Sequence, residues 1–503
     1  MFPERFNLAD YYLDARVREG RGERIALQTG GRAHSYEEVQ SQANRASDAL
    51  RRAGVRAGER VLILLFDGAP FVEAWFGTLK AGAVFCMANP LGTDEDIRYL
   101  LNYTGCRAVI ADASLQSRID GLAPPQCSAR FFVGEGGETK GWRRWNSALS
   151  EASDALANED THRDDVAGWL FTSGTTGKPK AAVHFHRHFA YNTEHYAKAT
   201  LGLREDDVFV SVSRLFFGYG TGTNLMFPFA VGGTAVLFPD KPTVSRLYEH
   251  IDAHGVSVLT NVPSMIRQML DSGLSVKAER LRLCLSAGEA LPPALMERWD
   301  QRFSAPILDG IGSAEMFHIY ITNRPGDVKP GSLGRIVSGY DARIVDDEGQ
   351  DVPDGERGRL WVRGESTALC YWQDQDKSHA TFRGEWCVTA DVFRREEGYY
   401  YYEGRADDML KVRGQFVSPL EIENCLEQHD AVVECAVVRD DEDGLVIPHA
   451  FVVLKEGGSA SEEALVEHCK AHLTRYKFPR RFTFCGPLPR NDRGKIKRRE
   501  LLP

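Results

Sequence analysis

Short apolar clusters, each separated from the next by a longer amphipathic stretch, set the strongest limit on how this chain folds. The runs VLILLF (61–66), AVFCMANP (83–90) and AVLFPD (235–240) read as buried strands, and 36–53 is a stretch of helical period. Alternation of this kind predicts an α/β fold with a largely parallel sheet. A chain of 503 residues is too long for one hydrophobic core, so several domains are expected. After about residue 340 the texture changes. The segment 342–364 reads as short antiparallel strands joined by Asp-Gly and Glu-Gly turns. The segment 403–426 runs from a turn into a strand and a helix that opens at Ser418–Pro419, where proline suits the first helical turn. The remainder of the chain, with a helix near 461–472 and a basic tail, makes a compact α+β unit of about 100 residues. The boundary is placed at 404–407, which gives domains 1–404 and 405–503.

The segment 164–171 reads as a strand that delivers the run FTSGTTGKPK (171–180). Gly174 and Gly177 let the backbone approach a ligand, Thr172, Ser173, Thr175 and Thr176 offer hydroxyls, and Lys178 and Lys180 add positive charge. Together these describe a polyphosphate cradle. It is not the common P-loop, because only two residues separate the glycines and Pro179 follows Lys178. A solvated turn is the plain alternative for the same residue types.

Composition narrows the function classes. The apolar fraction of 43 % and charged fraction of 26 % are those of an ordinary soluble protein. A net charge of −10 argues against non-specific binding to nucleic acid or membrane, and no apolar run is long enough to span a bilayer. The N-terminus has acids early and no apolar segment of the signal-peptide kind. Ten cysteines without a Cys-x-x-Cys spacing fit reduced thiols and a cytoplasmic location.

FTSGTTGKPK, DGIGSAE (309–315), TAD (389–391), GRADDMLKVRG (404–414) and RGK (493–495) follow one another in the order and spacing of the adenylate-forming acyl-CoA ligases. The chain resembles that superfamily along essentially its whole length. RLFFGYGTGTN (214–224), EMFHIYITN (315–323) and LKVRGQFVSPLEIE (410–423) look most like the benzoate-type aryl-CoA ligases. The resemblance implies a large N-terminal adenylate-forming domain with parallel sheets and a distorted β-barrel, and a small mobile α+β C-terminal domain. It implies ATP, Mg²⁺ and coenzyme A, an aryl carboxylate as the acid, and no nucleic-acid partner; a homodimer is compatible with it. A stand-alone adenylation enzyme that loads a carrier protein is the alternative within the enzyme class, and a catalytically silent nucleotide-binding regulator the alternative outside it.

The same resemblance assigns the site residue by residue. Residues 172–178 and Lys180 would cradle the phosphates, and Glu315 would help to hold Mg²⁺. Asp309, Gly310 and Ser313 would line the nucleotide, Asp391 would accept from the ribose hydroxyls, and Arg405 would lie near ribose and phosphate. Ala390 stands where the family usually has glycine. Lys495 matches the catalytic lysine, although a solvated basic tail is the competing reading for a residue among so many cations; Asn491 replaces the family's common threonine. Phe217, Gly218, Tyr219, Gly220, Gly312, His318 and Ile319 would form the aryl-acid pocket. Asp407 would be the hinge, and Arg413 and Gly414 would serve the coenzyme A half-reaction. His184, His186 and His188 alternate, so a strand would put all three on one face as in some metal sites, but no carboxylate or cysteine cluster accompanies them.

Overall fold

The computed structural model describes residues 2–139, 141–173, 178–412, 415–442, 445–490 and 496–502. Two sheets carry most of the molecule. One has seven strands, with Arg60–Leu64 at its middle flanked in parallel by Val84–Met87 and Ala108–Asp112. Val166–Ser173 adds in parallel beside Val84–Met87, and Pro179–Phe185 folds back on it antiparallel. The other sheet has nine strands, whose parallel centre runs through Val208–Ser211, Val258–Asn261, Leu283–Ser286 and Ile307–Gly312. The strands of the apolar clusters are buried on both faces, as covered parallel strands must be. The expected apolar runs and the observed strands differ by one to three residues at their ends.

The helix expected over 36–53 is Tyr36–Arg52, and its start is fixed by a capping box. Ser35 Oγ accepts from Glu38 N, and Glu38 Oε2 accepts from Ser35 N at 2.9 Å. Its apolar face (Tyr36, Val39, Ala43, Ala46, Leu50) is buried against helix Ala69–Lys80. Contact there is close: a Cβ added at Gly77 would stand 2.4 Å from the Ala46 Cβ. Burying Val39 or Leu50 is worth about 1.5–3 kcal/mol each.

Asp341–Val345, Arg357–Arg363, Phe382–Arg383, Trp386–Glu396 and Tyr399–Arg405 form a five-stranded antiparallel sheet where the resemblance implied the barrel. Beyond it a separate apolar core gathers Leu410, Val417, Ile422, Leu426, Val437, Val452, Leu465 and Phe482, all from the C-terminal part of the chain. Its strand Val432–Glu442 pairs antiparallel with Leu445–Leu454, and helix Glu462–His472 crosses over to the parallel strand Arg481–Phe484. Helix Pro419–Leu426 opens as expected, with Ser418 Oγ accepting from Glu421 N. Charged pairs join this unit to the rest: Arg267 with Glu427 at 2.9 Å and Arg357 with Glu421 at 3.1 Å.

Candidate active site

The hairpin of Val166–Ser173 and Pro179–Phe185 pairs Thr172 with Lys180 and Ser173 with Pro179, so the phosphate-cradle motif sits at its tip. Gly174, Thr175, Thr176 and Gly177 lie outside the described residues, as do Arg413, Gly414 and Lys495. Aromatic side chains brace the neck of the hairpin. The Tyr99 hydroxyl donates to the Pro179 carbonyl at 2.9 Å, and the Lys178 ammonium lies 5.3 Å from the Tyr99 ring centroid. Lys180 is held by Asp374 at 2.9 Å and stands 5.9 Å from the Tyr371 ring centroid.

Residues 369–372 run along the outer edge of this hairpin. Leu369 N donates to Val183 O, Val183 N to Cys370 O and Trp372 N to Ala181 O, all at about 3 Å. That pairing aims Tyr371 inward, where its hydroxyl donates to Glu315 Oε1 at 2.6 Å. Glu315 lies in a 3₁₀ turn, Ala314–Met316, whose Ala314 carbonyl meets His184 Nε2 at 2.7 Å. Two independent ties therefore fix the Glu315 turn against the hairpin. A concavity of about 580 Å³ opens beside Tyr371 and Asp374, bounded by Leu369, Gln375 and Phe382. None of the residues expected in the aryl pocket lines it.

Asp391 stands on strand Trp386–Glu396 in register with Arg405, 3.7 Å away. Burial, and then Asp391, Cys387 and Glu315, hold the Tyr320 phenol well above its usual range. The Cys387 thiol is raised in the same way by burial, Glu315 and Asp391. The carboxylates expected at the metal and at the ribose thus converge on one pair of buried side chains.

The glycine-rich run forms a helical segment, Gly218–Thr221 continuing into Gly222–Met226, that lies against the turn after Glu315. That turn is strained. Phe317 has φ +69° and ψ −57°, and His318 N donates to Met316 O at 2.9 Å, which closes a γ-turn around a bulky residue. Such a conformation costs about 1–3 kcal/mol and persists only where its surroundings fix it. Its result is to send His318 into the aromatic wall, with ring centroids 5.3 Å from Tyr219 and 4.8 Å from Phe227. The fit has no slack: a Cβ at Gly222 would lie 2.4 Å from His318 Cδ2, and one at Gly312 2.4 Å from His318 O.

His318 Nε2 sits 3.2 Å from the Tyr219 carbonyl, and burial pushes the imidazole down to about 3. The neutral ring therefore donates through Nε2 and presents Nδ1 as an acceptor. His318 Nδ1, the Tyr219 hydroxyl and Asp309 Oδ1 are all buried without a hydrogen-bond partner. Burial raises the Asp309 carboxyl to about 7, and the Tyr219 phenol well above its usual range. Gly218 leaves room instead: an added Cβ would meet Leu170 Cδ1 at 3.5 Å and the Phe317 carbonyl at 3.8 Å, ordinary contacts. Phe217 precedes this helix, and Gly220 could not carry a side chain, since its Cβ would stand 2.3 Å from Arg214 O. Gly310 pairs with Thr322, Ser313 leads into the 3₁₀ turn, and Ile319 opens the strand Ile319–Thr322. Asp407 lies in the exposed turn Ala406–Asp408.

The three alternating histidines do not share a strand face. The strand ends at Phe185 and helix His186–Asn192 begins at once, so His184 points to Ala314 O while His186 Nδ1 accepts from Leu8 N at 3.2 Å. Alternation misleads here because it carries the strand three residues too far. Neither Tyr371 nor Asp374 belongs to a motif that marks it in the sequence. Their only local signal is the Asp374 cap on helix Gln375–Thr381, which says nothing of the hairpin they touch.

Residues 13–372 match the AMP-binding enzyme family, and residues 421–495 match the AMP-binding enzyme C-terminal domain. The benzoate–CoA ligase of Thauera aromatica is 40 % identical over 508 aligned positions, covering 99 % of this chain and 96 % of that ligase. The solved anthranilate CoA ligase AuaEII, in complex with anthranoyl-AMP, superposes with a TM-score of 0.94 at 37 % identity, over 99 % of this chain and 97 % of that one. A benzoate CoA ligase from Burkholderia xenovorans LB400 superposes with a TM-score of 0.91 at 39 % identity, over 99 % of both chains.

Proposed function

The chain belongs to the AMP-binding enzymes, the adenylate-forming ligases, and from that premise we propose how its residues divide an aryl-acid:CoA ligase reaction between them. A carboxylate is a poor acyl donor. It first attacks the α-phosphorus of ATP, expelling pyrophosphate and leaving an aryl-adenylate; the thiol of coenzyme A then displaces AMP to give the thioester. Such phosphoryl transfer is mostly positioning and charge neutralisation. Lys178, Lys180 and the hydroxyls of 172–176 hold the β- and γ-phosphates. Asp391 and Arg405 hold the ribose, while Asp309, Gly310 and Ser313 border the nucleotide. Glu315 offers a hard carboxylate oxygen beyond the one that accepts from Tyr371, a donor of the type Mg²⁺ takes, and the ion would neutralise phosphate charge there. Lys495 orients the incoming carboxylate and stabilises charge on the α-phosphorus. Asp407 is the hinge between domains 1–404 and 405–503, and Arg413 and Gly414 serve the thioester step.

The observation that carries the choice of acid is the wall of buried, unpartnered polar atoms on Tyr219, His318 and Asp309. A buried polar atom left unpartnered costs about 1–3 kcal/mol, and three stand there beside tilted and edge-on aromatic rings. A flat aryl acid with a ring amino or hydroxyl group supplies both the stacking surface and the missing partners. The substrate is therefore a benzoate-type acid, with anthranilate or a hydroxybenzoate ahead of benzoate itself. A panel of aryl acids assayed for AMP release, with coenzyme A, with a carrier protein or with neither, tests this. Release with coenzyme A alone supports the ligase; release that requires the carrier protein overturns it.

A further inference from the structure

Two helices of the C-terminal unit bring a thiol and two imidazoles together, none of them a residue of the site above. Cys425 lies on helix Pro419–Leu426, and His468 and His472 stand one turn apart on helix Glu462–His472. One donor atom of each lies within 4.8 Å of the other two. The rings are already oriented by backbone. His468 Nε2 lies 2.9 Å from Cys425 O, and His472 Nδ1 lies 2.9 Å from His468 O. A ring N–H spent on a carbonyl is the arrangement that fixes the tautomer of a metal-binding histidine, and it leaves the lone pairs of His468 Nδ1 and His472 Nε2 for a ligand. The Cys469 thiol is a side-chain hydrogen-bond partner of the Cys425 thiol. Burial is graded from exposed His472 through half-buried His468 to buried Cys425, which provides an entry path from solvent.

One sulfur and two imidazole nitrogens, with no carboxylate, suit a borderline ion and not Mg²⁺. We propose that Cys425, His468 and His472 bind a divalent ion of the zinc and cobalt class, with a fourth position open to water. The ion would cross-link helix Pro419–Leu426 to its neighbour. That helix carries Glu421, and Glu427 follows it; these two residues pair with Arg357 and Arg267 across the seam to the large domain. Metal binding therefore stiffens the element through which the small unit docks.

The test is Co²⁺ titration of the full chain, free of nucleotide and Mg²⁺ and reduced without added thiols. We expect a thiolate-to-cobalt charge-transfer band in the near ultraviolet, lost in Cys425→Ser. His472→Ala, which changes an exposed side chain and leaves the fold intact, should weaken binding by at least about tenfold. Absence of the band in the wild-type chain, its survival in Cys425→Ser, or unchanged affinity in His472→Ala would each overturn the proposal.

Discussion

The Tyr371 hydroxyl donates to Glu315 Oε1 at 2.6 Å, joining two residues 56 positions apart. Tyr371 is also bridged through its backbone to Ala182 on the phosphate hairpin, so one side chain ties the proposed metal carboxylate to the proposed phosphate loop. A hydrogen bond to a charged group is worth about 1.5–3 kcal/mol. Tyr371→Phe should therefore lower kcat/KM for adenylation roughly ten- to hundredfold and raise the Mg²⁺ needed for half-maximal rate. ATP–pyrophosphate exchange across a Mg²⁺ series measures both. An unchanged Mg²⁺ dependence would make the bond structural only.

Lys495→Ala removes one preorganised cation at a developing negative charge, a loss of about 10²–10³ in rate. The deficit is expected in adenylation, while a supplied aryl-adenylate still reacts with coenzyme A. Should the variant adenylate at the wild-type rate, the role passes to another member of the basic tail.

Gly218→Ala tests the acid. The new methyl meets Leu170 and the Phe317 carbonyl at ordinary distances, so the fold accepts it. Benzoate turnover should stay nearly unchanged, while kcat/KM for an ortho-substituted benzoate falls by at least about tenfold, since a methyl in a tight pocket is worth about 1–3 kcal/mol. Parallel loss for both acids would mean that the glycine serves the helix start and not the ligand.

Buried histidines give the chain a measurable acid sensitivity. Burial pushes His186 down to about 4, so between the unfolded value near 6.5 and that value only the unfolded chain takes up its proton. Its contribution to stability is intact above about pH 6.5 and is lost as pH falls toward 4, by about 2 kcal/mol at pH 5. Asp309 and Glu73, raised to about 7, and Asp67, raised to about 6, act in the opposite sense, because the fold keeps their protons as pH rises from 4. The measurement must therefore be differential. Urea midpoints of wild type and His186→Asn, taken at pH 7.5 and pH 5, should show the wild type losing about 2 kcal/mol relative to the variant. A pH-independent difference would mean that His186 is protonated in the fold.

Local chemistry made much of the architecture readable. The helical period over 36–53, the opening at Ser418–Pro419 and the helix near 461–472 each marked a helix that the structure reproduces. Gly218, Tyr219 and His318, named from motif alone, meet at one aromatic wall. The rest depended on interactions that no short window contains. Tyr371 reaches Glu315 only because 369–372 pairs with a strand almost two hundred positions earlier in the chain. Nothing in the residues around Phe317 signals a left-handed backbone, since bulky side chains disfavour it and tertiary packing imposes it. The histidine alternation failed for a related reason: a period of two persists across a strand end, whereas the backbone does not.

The charged seam between the small unit and the rest has a mechanical consequence. Among the described residues its apolar core draws none from the large domain, and Arg267–Glu427 and Arg357–Glu421, each partner partly exposed, bridge the two. Partly solvated ion pairs hold weakly, and when they part, water takes the place of each lost partner. A joint of this kind can be undone and remade on every turnover without wetting an oily surface, and its grip should slacken with rising ionic strength. Salt, rather than temperature, is then the natural dial for how firmly the small unit is seated.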